Sequence, residues 1–404
     1  MTTTELENET PAAPELPATP DQEKEERRRR LMLLLLLLLL LLCCGASLLF
    51  LRYILKPQPI SEILLPPKVL QVPPTYVKMI TGLDGPMGVA VSPDAQQIYA
   101  TESKGESLIK VFNRDGNLLF SFFPPGTTKA NRNLTYIAVG ADGRVYVSEH
   151  YNGVIDIFDA DGNFIDAIIA RDMTLSKYLR SKGKLLLPPG SLFYYDNANK
   201  QVYYQTPGGN LTAIPGPNRK DWAPLGVRFD AAGNLLLTNL VDGLHEVLII
   251  PADALQGDLS TYAPKLQEFG TEGGEAGQFS FPNSVVRDKA GNYYVSDGNN
   301  GRLSAWNSEL KYQTFFGFGS SESSLNLPRG IWMDNKDRLH VADAIGSVIR
   351  VYDVSGSEPS FLFNFGEFGV SEGSLNFPED VCMDSTGRVY IADRENNRID
   401  IWSY

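Results

Sequence analysis

One six-residue pattern returns seven times, and it constrains the fold more than any other feature of the chain. It reads Gln97-Ile-Tyr-Ala-Thr-Glu102, Arg144-Val-Tyr-Val-Ser-Glu149, Gln201-Val-Tyr-Tyr-Gln-Thr206 and Asn234-Leu-Leu-Leu-Thr-Asn239. It continues as Asn292-Tyr-Tyr-Val-Ser-Asp297, Arg338-Leu-His-Val-Ala-Asp343 and Arg388-Val-Tyr-Ile-Ala-Asp393. β-Branched and aromatic residues give each copy strand character, and most copies close on a small residue followed by a turn-former. Tight-turn pairs such as Asp142-Gly143, Ala232-Gly233, Ala290-Gly291 and Thr386-Gly387 precede most copies, and a further strand such as 88–92 or 330–334 lies ahead of the turn. Several units run on into a third strand, as at 108–112, 154–158 and 348–352.

The copies end at 102, 149, 206, 239, 297, 343 and 393, a mean step of about 48 residues. A four-stranded propeller blade takes ~40–50 residues, so the period predicts an all-β propeller. The steps of 57 and 58 hold extra segments around 171–188 and 251–263, and the step of 33 leaves little room for a fourth strand in the third unit. The expected count is seven blades, or six if the third unit is an insertion. The last repeat provides only three strands, ending at Ile399-Asp-Ile-Trp402, and Tyr76–Ile80 ahead of the first hairpin is expected to supply the outer strand. Closure of that kind removes an exposed sheet edge.

The N-terminal part has a different composition. Residues 1–30 hold few bulky apolar side chains and read as a disordered tail ending in Arg27–Arg30. Residues 31–51 form a run of 21 without a charge, broken only by Gly45 and Ser47. A helix of that length spans roughly 30 Å, the thickness of a bilayer's hydrocarbon core. A cleaved signal peptide has a shorter apolar region of ~7–15 residues and a small-residue cleavage site, so an uncleaved transmembrane helix is the expectation. Four arginines precede the run, whereas Arg52, Lys56 and Lys68 follow it. The positive-inside rule then places the tail in the cytoplasm and the remaining chain outside, at a cell membrane. Residues 52–75 carry Pro57, Pro59, Pro66, Pro67, Pro73 and Pro74, and read as a semi-rigid stalk before a propeller over 76–404.

Phe269-Gly270 with Gly277-Gln-Phe279 leading to Pro282, and Phe365-Gly366 with Gly373 and Phe377-Pro378, resemble the inter-blade signature of NHL-repeat propellers. Val341-Ala-Asp343 and Ala392-Asp-Arg-Glu-Asn-Asn-Arg-Ile399 are similar to that family's Val-Ala-Asp-x-x-Asn-x-Arg segment. The resemblance covers roughly residues 76–404, is strong in the last three repeats and fades around 186–225. It implies a platform that binds a ligand or partner, a sensor, or less often a lyase or hydrolase. The fold is therefore better determined than the function.

Five of the seven second strands end in an acid, Glu102, Glu149, Asp297, Asp343 and Asp393, and Asn239 ends a sixth. These ends and the loops that start the first strands share one face of such a ring. Asn283, Arg329, Glu379 and Asp380 from those loops join them. Together they describe an acidic mouth able to hold a divalent cation or a basic ligand group, with Arg329 facing an acidic one. Each acid has a plainer use, capping its own turn and pairing with a nearby arginine, as Asp393 does if it meets Arg398.

His150, His245 and His340 are evenly spaced, and lyases with NHL-like propellers hold zinc through histidines. Here, however, the equal spacing reflects two-blade steps, His340 replaces a packing tyrosine, and only His150 lies near the mouth. No Ser-His-Asp set emerges, no catalytic residue is assigned, and Cys382 reads as core. A net charge of -12 argues against a nucleic-acid partner. The expected function is a membrane-anchored, extracytoplasmic module that binds or scaffolds a protein, peptide or glycan ligand. The alternative is a metal-assisted lyase or hydrolase using the same acidic mouth.

Overall fold

The computed structural model describes residues 20–55, 72–183 and 187–404. The chain divides into two units, residues 1–70 and 71–404. In the first, one helix, α1, runs from Pro20 to Leu55 over 36 residues. The expected tail of 1–30 is corrected here: residues 20–30 are helical, and 1–19 lie outside the described residues. Glu, Gln, Lys and Arg between 21 and 30 are good helix formers, and extending an existing helix costs far less than starting one. Pro20 takes the first helical position, where its missing N–H is no loss. The expected stalk changes similarly: 52–55 are helical, 56–71 lie outside the described residues, and Thr75 opens a strand. Leu31 to Leu42 are all exposed on α1. Among the described residues, no helix is long and apolar enough to cross a membrane.

In the second unit the hairpins form where the repeats predict them. Asp230, Asp334 and Asp384 each accept backbone N–H groups two and four residues on, and Asp288 accepts the one four residues on, at 2.8–3.1 Å, which fixes the turn between first and second strands. Gly143, Gly233, Gly291 and Gly387 take the positive φ these turns require.

Six sheets follow one plan. Their first strands are Pro86–Val91, Leu134–Val139, Pro224–Phe229, Pro282–Arg287, Pro328–Met333 and Pro378–Met383. Each is hydrogen-bonded antiparallel to the second strand of its own repeat, and a third and fourth strand follow outward. The six first strands adjoin one another in cyclic order, the last returning to the first. In the sixth sheet the outer strand is Thr75–Ile80, paired antiparallel with Arg398–Ser403, as expected.

The expectation of seven like blades does not match these neighbours. The third unit forms a separate three-stranded sheet, Leu192–Asp196, Gln201–Gln205 and Thr212–Pro215, whose first strand is absent from the cycle of inner strands. It packs instead through Tyr195 and Val202 on Val154, Ala167 and Ile169 of the second sheet. The helix Leu175–Ser181 lies in the same cluster, its N-terminus capped by Thr174.

A β-bulge marks the difference. All six inner strands shift register within their first four residues, whereas Leu192–Asp196 pairs without a shift. In four sheets the bulge frees an N–H that a small hydroxyl residue on the second strand takes, whereas the fifth and sixth sheets have Ala342 and Ala392 there. Gly88, Tyr136, Gly226 and Ser284 donate to Thr101, Ser148, Thr238 and Ser296 at 2.7–3.1 Å. The third unit has Gln205 at that place.

Tyrosines in the second strands fill the layers between sheets: Tyr99, Tyr146, Tyr294 and Tyr390 are buried. Truncating a large buried aromatic costs about 3–5 kcal/mol, so this layer is a major part of ring stability. His340 takes the same position in the fifth sheet, buried, with Nε2 2.7 Å from the Tyr404 hydroxyl.

Candidate functional site

The second-strand ends and the loops before the first strands meet on one face of the ring, the mouth. Pro86, Leu134, Pro224, Pro282, Pro328 and Pro378 are register partners of Glu102, Glu149, Asn239, Asp297, Asp343 and Asp393. These six polar residues are fully buried, and their side chains hold the loops. Glu102 accepts from the Asp84 N–H, Glu149 from Asn133, Asn239 from Ala223 and Asp297 from Ser280, at 2.6–2.8 Å. Asp343 accepts from Asn326 and Leu327, and Asp393 from Asn376, at 2.7–3.2 Å. Cations on the third strands take up most of the remaining charge: Lys110 on Glu102, Arg302 on Asp297, Arg350 on Asp343 and Arg398 on Asp393, at 2.7–3.2 Å. Asn239 instead joins Glu246 and, through it, Arg171. The rim acids are thus scaffolding for the loops that carry the mouth.

Glu149 is the exception, bonded to Asn152 with no cation on its third strand. Burial raises its pKa, opposed by the Asn133 N–H and Asn152. Asp156 nearby is pushed well above the ordinary carboxylate range, first by burial and then by Glu149.

Three of the other four predicted residues, Asn283, Arg329 and Glu379, do come together. Arg329 Nη1 donates to Asn283 Oδ1 at 2.8 Å, and its Nε lies 3.4 Å from Glu379 Oε2. Arg394, the residue after Asp393, donates to Glu379 Oε1 at 3.4 Å. Glu379 is buried while both arginine side chains stay partly exposed, their Nε atoms excepted. Burial raises the Glu379 pKa, and Arg329 and then Arg394 counter it.

Below this cluster the axis is closed by an ion pair between Arg228 and Asp380, both buried. Arg228 reaches from the third inner strand to the sixth and also donates to the Val381 carbonyl at 3.2 Å, with Trp332 against its face at 5.6 Å. Asp380 Oδ2 accepts from the Val89 N–H at 3.0 Å. Burial pushes Asp380 up to about 6, with Arg228 pulling the other way. Glycine at 330 is required here, because a Cβ would lie 2.7 Å from the Asp380 Cα of the neighbouring strand. Sequence reasoning missed Arg228 and Arg394 as members of the site. The signal was present for Arg228, a charge where the other inner strands carry Ala90, Ala138, Val286, Trp332 and Cys382.

The three histidines are not brought together. His340 packs between sheets, and His245 Nδ1 accepts from the Phe281 N–H at 3.3 Å. His150 lies at the mouth, its Nδ1 buried without a partner, and burial lowers its pKa. Among the described residues, no three His, Cys, Asp or Glu side chains are grouped to hold a metal ion. Cys382 is buried in the inner strand, as expected. A pocket of about 610 Å³ lies elsewhere, around Pro251, Asp258, Tyr262 and Lys265 after the third strand of the third sheet.

Comparison with known proteins adds the family. Residues 375–402 match the family model of the NHL repeat. No curated protein matches the chain. Among solved structures the chain is similar to a streptogramin B lyase, with a TM-score of 0.50 and 14% identity over 82% of this chain and 98% of that one. It is similar to Kuenenia stuttgartiensis hydrazine synthase, with a TM-score of 0.50 and 13% identity over 82% and 99%. A virginiamycin B lyase from Staphylococcus aureus gives 0.48 and 15% over 82% and 97%. At such identities the likeness concerns the fold alone. The matched repeat, the recurring bulged sheets and the fold of the first two of these neighbours support an NHL-repeat β-propeller.

Proposed function

We propose that the ring is a binding or scaffolding module for a protein, peptide or glycan ligand, working at the mouth. One observation carries this reading: Arg329 and Arg394 converge on a single buried carboxylate, Glu379, while their own side chains stay partly exposed. Two cations on one anion leave positive charge at the mouth of a chain whose net charge is -12. Guanidinium groups recognise carboxylates through paired N–H donors. The six bulged sheets are read as a complete six-bladed ring, with the 192–215 sheet as an insertion on its second blade. Immobilised full-length protein should capture ligand from the material it normally contacts, and Arg329→Gln with Arg394→Gln should abolish capture. Unchanged capture by that variant would remove the mouth from the function.

The chain is further read as anchored in a cell membrane by residues 31–51, with the N-terminus cytoplasmic and the ring outside. Support comes from the uncharged run within α1 and from Arg27–Arg30 on its N-terminal side. Protease added to intact cells should remove the ring, and full protection would reverse the orientation. The enzyme reading, a lyase or hydrolase at the same mouth, draws on His150, whose free Nδ1 and lowered pKa suit a neutral imidazole. Stoichiometric metal lost on His150→Ala would favour it.

A further inference from the structure

Resting on the mouth as the binding site, we propose that its ligand is a polypeptide segment. It sets a carboxylate between Arg329 and Arg394 and seats apolar side chains on the two loops that lead into Arg329 and Glu379. Those loops, 317–327 and 366–377, carry the most exposed aromatics of the ring, Phe318 at 68% and Phe368 at 75%. Val370 at 74% and Ile345 at 62%, the latter in the turn after Asp343, extend the same face. Arg398 donates to the Val370 carbonyl at 3.0 Å and Asn396 to the Gly369 carbonyl at 2.9 Å, so the second loop is tied to its own sheet. Arg350 likewise bonds the Glu322 carbonyl of the first loop. The apolar side chains are thus displayed from anchored backbone. The corresponding loop of the fourth sheet has Thr271-Glu272 after its Phe-Gly pair, so apolar display belongs to the two loops that flank the arginines.

The charge balance selects the partner. Lys104 pairs with Glu395 at 2.8 Å, and Arg329 and Arg394 share Glu379, which leaves one positive charge among these five groups. Arg329 and Arg394 donate through Nη1, and among the described residues their Nη2 groups make no hydrogen bond, whereas both Nε are buried. Donor capacity on Nη2 therefore remains for an incoming carboxylate. Phe318, Phe368, Ile345 and Val370 make a mixed aromatic and aliphatic surface, which fits leucine-like or aromatic side chains. An acidic, apolar peptide meets both demands, as interface anchors do when aromatic and arginine residues sit side by side.

The test is selection of a random octapeptide phage library on the full-length protein in detergent micelles, followed by fluorescence anisotropy with the enriched peptides. Enriched sequences should pair Asp or Glu, or a free C-terminus, with large apolar residues. Arg329→Gln/Arg394→Gln and, separately, Phe318→Ser/Phe368→Ser should each weaken binding about tenfold or more. Glu379→Gln should strengthen it, because the arginines lose their competing carboxylate. That opposite sign separates recognition from simple damage to the fold. Enrichment of basic peptides, or binding indifferent to these substitutions, would overturn the proposal. Binding of sialyllactose with no peptide enrichment would overturn it while leaving the mouth as the binding site, and failure of both probes would count against both.

Discussion

The axial ion pair gives the sharpest test of how this ring holds together. Replacing Arg228 by Met keeps much of the side-chain length but leaves Asp380 buried with no counter-charge. Removing one partner of a buried pair typically costs about 3–5 kcal/mol, because the remaining charge is stranded in a poorly polarisable interior. In a domain of this size that is a fall in Tm of about 4–7 °C. Three contacts go with it: the bond to the Val381 carbonyl, the reach toward Ile137 and the packing on Trp332.

The loss has a pH signature. Asp380 in the folded chain is raised to about 6, above its ordinary value. Such a group lends stability below its unfolded pKa and withdraws it as pH rises through the folded one. Without Arg228 the folded value rises further, so the withdrawal is larger. Arg228→Met should therefore be far less stable than the parent at pH 8 and nearer to it at pH 5, where Asp380 is protonated. Urea denaturation of the full-length protein in detergent, followed by tryptophan fluorescence, measures both. Equal stability at pH 8, or a deficit that does not shrink in acid, would refute the idea that Arg228 neutralises Asp380.

Two further outcomes follow from packing and titration. Gly330→Ala should destabilise the ring by about 1–3 kcal/mol in the same assay, since the new methyl meets both the Asp380 carboxylate, held by Arg228, and the Asp380 Cα. Asp400 is raised by burial and then by its hydrogen bond with Asp393, so it withdraws stability as pH rises through the neutral range. Asp400→Asn, which resembles the protonated acid, should match the parent near pH 4 and exceed it near pH 9.

The strand repeats were legible because packing between sheets demands apolar residues at alternate positions and turns demand Asp and Gly. The outer strand 75–80 could be placed because the last repeat left one strand unfilled. The third unit misled because Gln201–Gln205 has strand composition, and what sets it apart, a first strand that pairs without a bulge, shows only in the register. At the mouth, residue types were readable but their employment was not. Glu102, Asp297, Asp343 and Asp393 look available in a list of acids, yet loop N–H groups and cations saturate them. The Arg228–Asp380 pair joins residues 152 apart, a distance no local pattern spans.

The strand Thr75–Ile80 emerges early in synthesis, but its partner Arg398–Ser403 comes roughly 320 residues later. At ~5–20 residues per second the ribosome needs tens of seconds to deliver it. Through that interval the first-made segment has no lateral neighbour, and the nascent sheets can only line up as an unfinished arc. Completion is thus a late, non-local event, the kind that invites capture by chaperones and makes the newborn protein most vulnerable just before its two ends zip together.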